Sequence, residues 1–199
     1  MRTQRDAPWL GMTRLQSADD DVVRRAKAGD EDAYRELVER YAPGLYRLAF
    51  SLVGNAADAE DVLQETFVGA FRHLPRFEQR ASVRTWLSRI LVRQAARHHR
   101  TRARLRAVRR EGPAGSIGRS DVERLEDRPV EETETRIDLL GALDALEPIH
   151  REVLSLREFQ GLSYQEMAEV LGVPRGTVES RLYRARQALK EKLKDYLAT

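Results

Sequence analysis

Residues 161–189 read GLSYQEMAEVLGVPRGTVESRLYRARQAL, and the parsing of this stretch decides the fold. Leu162 precedes Ser163, Glu166 follows three places later, and Met167 comes next. Ser163 is spaced to accept from the backbone N–H of Glu166 while Glu166 reaches back, and Leu162 is spaced to pack on Met167. A capping box and a hydrophobic staple therefore coincide at one helix start. The helix stops at Gly172, which tolerates the left-handed backbone of a tight turn. Pro174, with its fixed φ and missing N–H, suits the start of a second helix. Val178, Leu182 and Ala185 fall on that helix's inner face. Arg175, Thr177, Glu179, Ser180, Arg181, Tyr183, Arg184 and Arg186 fall on its outer face. Two short helices, a glycine turn and an arginine-rich second helix make a helix-turn-helix. A plain helical hairpin is the alternative, but cap, staple, glycine and arginine face in register favour DNA binding.

Working outward, 199 residues with 34% charged side chains predict a thin core and a highly charged surface. An all-α chain of two small helical domains joined by a flexible linker fits that balance better than one large globule. The net charge of only +3 conceals strong local segregation of sign. With no cysteine, disulfides, thiolate metal sites and cysteine catalysis are excluded, which suits a reducing cytoplasm. No apolar run reaches membrane-spanning length and no signal-peptide core is visible, so we expect a cytoplasmic protein without membrane insertion.

In chain order, residues 1–18 read as a mobile tail. A domain over 19–110 follows. Asp19 to Ala28 is a short helix ended by Gly29. Asp30 caps the next helix, in which Ala33, Leu37, Val38, Tyr41, Leu45, Leu48 and Leu52 recur at helical spacing and Pro43 predicts a kink or interruption. After Gly54-Asn55 a third helix runs from about Ala56 to His73. Leu63, Phe67, Ala70, Phe71 and Leu74 form its expected apolar stripe. Asp58, Asp61, Gln64 and Glu65 gather opposite. That acidic side reads either as a solvated face near a helix N-terminus or as a docking face for a basic partner. No Glu-x-x-His pairing accompanies the acids, so no metal ligands, cofactor or catalytic residues are assigned.

The fourth helix, from Ser82, packs Val83, Trp86, Leu87, Ile90 and Leu91 in its first half. Its second half carries Arg93, Arg97, Arg100, Arg102, Arg104, Arg106, Arg109 and Arg110 with no acid before Glu111. Such a run repels itself unless a polyanion is near, which points to phosphate contact. Residues 111–135 break structure with Gly and Pro and then turn acidic, as a linker does. A second domain spans 136–199, with Ile137, Leu140, Leu143 and Leu146 ahead of the supporting helix of Ile149, Val153, Leu154, Leu156 and Phe159.

Three segments together resemble bacterial RNA polymerase sigma factors of the extracytoplasmic-function type, group 4 of the sigma-70 family. DAEDVLQETFVGAFRHLPRF resembles the polymerase-binding part of region 2. ASVRTWLSRI resembles its promoter-melting and −10-reading part. The sequence from Leu146 to Leu189 resembles region 4. The resemblance implies that Asp58, Asp61, Gln64 and Glu65 bind the clamp helices of core RNA polymerase. It also implies a region 4 contact with the flap of the second large subunit. It places Ser82, Thr85, Trp86, Arg89, Arg93, Arg97 and Arg100 at the −10 strand, with Trp86 read both as core and as a support for a flipped base. Arg175, Thr177, Glu179, Ser180, Arg181, Tyr183 and Arg184 fall at the −35 major groove. An anti-sigma factor is the implied regulatory partner. Arg93 and Arg97 stand where relatives commonly carry Asn and Asp, and Glu179 stands where Lys or Arg is usual, so altered promoter preferences are expected.

Two other functions compete. An ordinary helix-turn-helix repressor explains the C-terminal part but not the paired acidic face and basic helix of the first half. An enzyme on nucleic acid needs a carboxylate or histidine constellation that the sequence does not present.

Overall fold

The computed structural model describes residues 19–110, 143 and 145–197. The expected tail (1–18), the acidic linker (111–135) and the positions of Ile137 and Leu140 lie outside the described residues. All secondary structure among the described residues is helical.

Residues 19–27 form α1, closed by Gly29 at φ +95°. Helix α2 (Glu31–Val53) starts at Asp30, whose side chain accepts from the Ala33 backbone N–H, and ends at Gly54 in the left-handed region. Pro43 lies inside α2, which runs through it as one helix. The expected interruption is absent because the packed face formed by Leu37, Tyr41, Leu45 and Leu48 holds both halves. Helix α3 (Ala56–His73) is capped by Asn55, followed by a short 3-10 turn at Leu74–Arg76. Helix α4 (Val83–Arg110) follows; Ser82 precedes it and its hydroxyl accepts from the Thr85 N–H at 3.1 Å.

The C-terminal group begins with α5 (Pro148–Gln160), with Pro148 in its first turn and Gly161 as its left-handed cap. Helix α6 (Tyr164–Leu171) carries the complete capping box: the Ser163 side chain accepts from the Glu166 N–H and Glu166 accepts from the Ser163 N–H. Gly172 supplies the left-handed turn, and α7 (Arg175–Leu197) follows. Val178, Leu182 and Ala185 of α7 are buried with Leu162 and Met167, as their spacing requires.

The α3 stripe is rotated from its expected position. Ala59, Val62, Thr66 and Ala70 are the buried row, Leu63 and Phe67 flank it, and Phe71 is 57% exposed. Its ring meets that of Tyr34 edge-on at 5.1 Å between centroids. Small residues let α3 lie close on α2 and α4, which leaves the larger Phe71 outside. Ile149, expected in the supporting row of α5, is likewise exposed.

The two groups also pack on one another: α5 lies along α2, and α6 lies against α4. The Gln160 amide donates to the Gly44 carbonyl at 2.7 Å. Arg84 donates to the Gln160 carbonyl at 3.2 Å. Tertiary packing alone makes this seam.

Candidate nucleic-acid and protein interfaces

On α7, the buried Val178–Leu182–Ala185 row fixes which side chains face outward. Arg175, Glu179, Ser180, Tyr183 and Arg184 are exposed, Tyr183 by 67%. Thr177 is half-buried, and its carbonyl accepts from the Ser180 hydroxyl at 3.0 Å. Arg175 Nε donates to Glu179 Oε1 at 2.8 Å, so the unusual carboxylate orients a neighbouring guanidinium on the same face. Arg181 is half-buried beside Glu152. Burial pushes the Glu152 carboxyl above its ordinary range, and the Arg181 charge draws it part of the way back. The exposed row offers donors and an aromatic edge at helical spacing, the equipment of a major-groove reader.

On α4, Arg93, Arg97, Arg100 and Arg104 are exposed, which makes a cationic ridge suited to phosphates. Trp86 is half-buried and stacks on Phe77 at 4.4 Å and 19° between rings. Its ring therefore belongs to the packing between α4 and the preceding loop, and its exposed fraction is what remains for a ligand. The Ser82 and Thr85 hydroxyls lie 2.8 Å apart. Thr85 is 0% exposed, and its hydroxyl donates to Glu166 Oε1 of α6 at 2.9 Å. Arg89 is half-buried, 3.7 Å from Glu169. The residues expected at the −10 strand thus divide into an open arginine ridge and a covered pair, Thr85 and Arg89.

On α3, Asp61, Gln64 and Glu65 are exposed together with Glu60. Asp58 is different. It accepts from Arg102 and from the Asn55 amide, and His98 lies 3.3 Å away, so its carboxylate joins α3 to α4.

Sequence reasoning missed Glu166 and Glu169 as neighbours of Thr85 and Arg89, two of the residues expected at the −10 strand, and Gln160 as the partner of Gly44 and Arg84. Glu166 was legible only as half of a capping box, since pairing across 81 residues leaves no local pattern. The exposure of Phe71 was missed because apolar spacing alone does not say which edge of a stripe a neighbouring helix covers.

Among the described residues no group of three or more His, Asp or Glu is arranged to hold a metal ion. No helix is long and apolar enough to cross a membrane.

Comparison with known proteins brings both halves together. The family model for Sigma-70 region 2 matches residues 37–105, and that for Sigma-70, region 4 matches residues 136–189. The RNA polymerase sigma-H factor of Pseudomonas aeruginosa is 35% identical over 92% of this chain and 97% of its own length. The ECF RNA polymerase sigma factor SigE of Mycolicibacterium smegmatis is 37% identical over 85% of this chain and 65% of its own. Among solved structures, the sigma factor RpoE in complex with the anti-sigma factor NepR, from Bartonella quintana, is similar. It superposes with a TM-score of 0.65 at 27% identity, covering 81% of this chain and 96% of that one.

Proposed function

This chain belongs to the extracytoplasmic-function sigma factors of the sigma-70 family, and from that premise we propose how its surfaces divide the work of initiation. Membership makes it a subunit that directs RNA polymerase to specific promoters rather than an enzyme.

Helix α7 enters the −35 major groove, with Arg184, Tyr183, Ser180 and the Arg175–Glu179 pair at base edges and phosphates. The outward row over the buried Val178, Leu182 and Ala185 carries this reading. Helix α4 takes the −10 strand. Its ridge of Arg93, Arg97 and Arg100 holds phosphates, while Ser82 and the edge of Trp86 face the bases, and Thr85 and Arg89 stand behind them on Glu166 and Glu169. Helix α3 docks on the polymerase clamp helices through Asp61, Gln64 and Glu65. Exposed Phe71 is placed to add an apolar anchor of the kind that concentrates binding energy at interfaces. Asp58 supports that face from within. The C-terminal group also meets the flap of the second large subunit. The likeness to a sigma factor bound to an anti-sigma factor supports an anti-sigma factor as the regulatory partner. Work on promoter DNA places the protein in the cytoplasm.

The decisive experiment reconstitutes purified chain with core RNA polymerase and transcribes a genomic promoter library. Selective initiation at a shared pair of elements is the expected result and delivers both sequences. Specific binding to duplex DNA without any binding to polymerase overturns the assignment.

A further inference from the structure

We propose that Asp20 and Lys27 of α1 are positioning residues for the −10 strand: by holding the 77–82 loop they seat Trp86 and Ser82, and so govern base selectivity without touching DNA. The inference rests on the −10 assignment above and adds to it two residues from a helix which that assignment does not use.

The loop between the 3-10 turn and α4 carries the argument. Among the described residues, Gln79 is the one non-glycine residue with a left-handed backbone, at φ +54°. A residue with a Cβ avoids that region and persists there only where its surroundings hold it. What holds it is α1. The Gln79 amide donates to Asp20 Oδ1 at 3.1 Å, across 59 residues of chain. Two residues earlier, the Phe77 carbonyl accepts from Lys27 Nζ at 2.9 Å. Asp20 and Lys27 lie about two turns apart on one face of α1, and with Arg24 and Gln79 they line one groove between helix and loop.

Helix α1 is a fixed base for these tethers. Val22, Val23 and Ala26 are buried, and Asp19 accepts from the Tyr41 hydroxyl and, at 2.5 Å, from Arg40 of α2. Asp20 and Lys27 lie outside that packing and reach the loop instead. The neighbouring loop charges, Glu78 and Arg80, pair with one another at 2.8 Å. Among the described residues, the polar ties from this loop to another helix are therefore those to α1.

From the loop the constraint passes to the proposed reading face. Lys27 fixes the carbonyl of Phe77, and the buried Phe77 ring stacks on Trp86 at 4.4 Å and 19°. Gln79 stands three residues before Ser82, whose hydroxyl accepts from the Thr85 N–H at 3.1 Å as α4 begins. A loop freed from α1 moves the indole and the Ser82 hydroxyl together, and small misplacements of positioned groups are costly.

The chain has two tryptophans, Trp9 and Trp86, so Trp9→Phe leaves Trp86 as the single reporter of its ring's exposure. In that background, acrylamide quenching of the free full-length protein reads the indole. Reconstituted holoenzyme on fork templates, carrying the recovered promoter's −10 bases or single substitutions of them, reads discrimination. Asp20→Ala and Lys27→Met raise quenching and lower discrimination by about tenfold, the worth of one mis-seated base contact. Affinity for −35 duplex and the urea midpoint stay at wild-type values. Asp20→Asn, which keeps the acceptor, and Lys27→Arg, which keeps the donor, restore both readouts. Asp20→Ala adds nothing to Gln79→Gly, which removes the amide and accepts the left-handed backbone.

Wild-type discrimination in both tether variants overturns the proposal. So does a loss matched by an equal loss of −35 affinity or by a lower urea midpoint, which marks general damage. Additive effects of Asp20→Ala and Gln79→Gly overturn it as well. If Trp86→Ala and Ser82→Ala both leave discrimination intact, the −10 assignment itself falls and the proposal with it, while quenching in the tether variants still reports the loop separately.

Discussion

Asp58 and Arg102, 44 residues apart, are joined by an ion pair that ties the first turn of α3 to the basic half of α4. His98 and the Asn55 amide complete the setting of the carboxylate. A residue whose spacing puts it among the docking acids is therefore committed inside the chain. Asp58→Ala should lower unfolding stability by about 1.5–3 kcal/mol, the usual range for hydrogen bonds to a charged group, as measured in urea. Asp61→Ala and Glu65→Ala should do the reverse, weakening polymerase binding while leaving the urea midpoint nearly unchanged. A larger polymerase defect for Asp58→Ala at unchanged stability would refute this division.

Glu166 gives the acid limb of stability a defined source. Burial pushes its carboxyl up, but hydrogen bonds from the Ser163 backbone, the Ser163 hydroxyl and Thr85, with the Arg84 charge, hold it below its ordinary 4.5. Because the folded value is depressed, its contribution is complete above 4.5 and is lost as pH falls through the folded value. Thermal melts of Glu166→Gln across an acid series should be flatter than those of wild type. Ser163→Ala, which removes the cap donor–acceptor, should cost about 1 kcal/mol at neutral pH.

Glu152 works with the opposite sign. Its carboxyl is raised chiefly by burial, so the charged form is disfavoured in the fold, and stability falls as pH rises through the folded value. Glu152→Gln should raise the melting temperature at neutral pH. It should also strengthen −35 duplex binding, because Arg181 is released from its carboxylate neighbour. A drop in both would show that the pair is needed to shape α7.

Glu179 orients Arg175 at 2.8 Å on the proposed reading face. Glu179→Lys should change the preferred −35 sequence and steepen the salt dependence of duplex binding, with a slope change of about one per added phosphate contact. Unchanged promoter choice and unchanged salt slope together would remove Glu179 from the DNA surface.

Leu182 is buried on the inner face of α7. Leu182→Ala should cost about 2–5 kcal/mol through lost burial and the cavity left behind, read as a lower denaturant midpoint.

What the sequence determined by itself was everything set within a few residues of the chain. The Ser163–Glu166 capping box, the Gly172 turn, the Asp30 and Asn55 caps and the buried Val178–Leu182–Ala185 row are local pairings at helical spacing, so their partners are visible in the string. The helix-turn-helix, the arginine ridge of α4 and the exposed acids Asp61 and Glu65 were legible for the same reason. Tertiary structure alone decided the rest. Pro43 passes without a break because packing on both sides of it outweighs one missing hydrogen bond. Phe71 turns outward because small residues let α3 approach its neighbours closely, and Asp58 turns inward to Arg102. Above all, Thr85 meets Glu166 across 81 residues. No periodicity encodes that contact, because it arises from how two helical groups distant in sequence pack against one another.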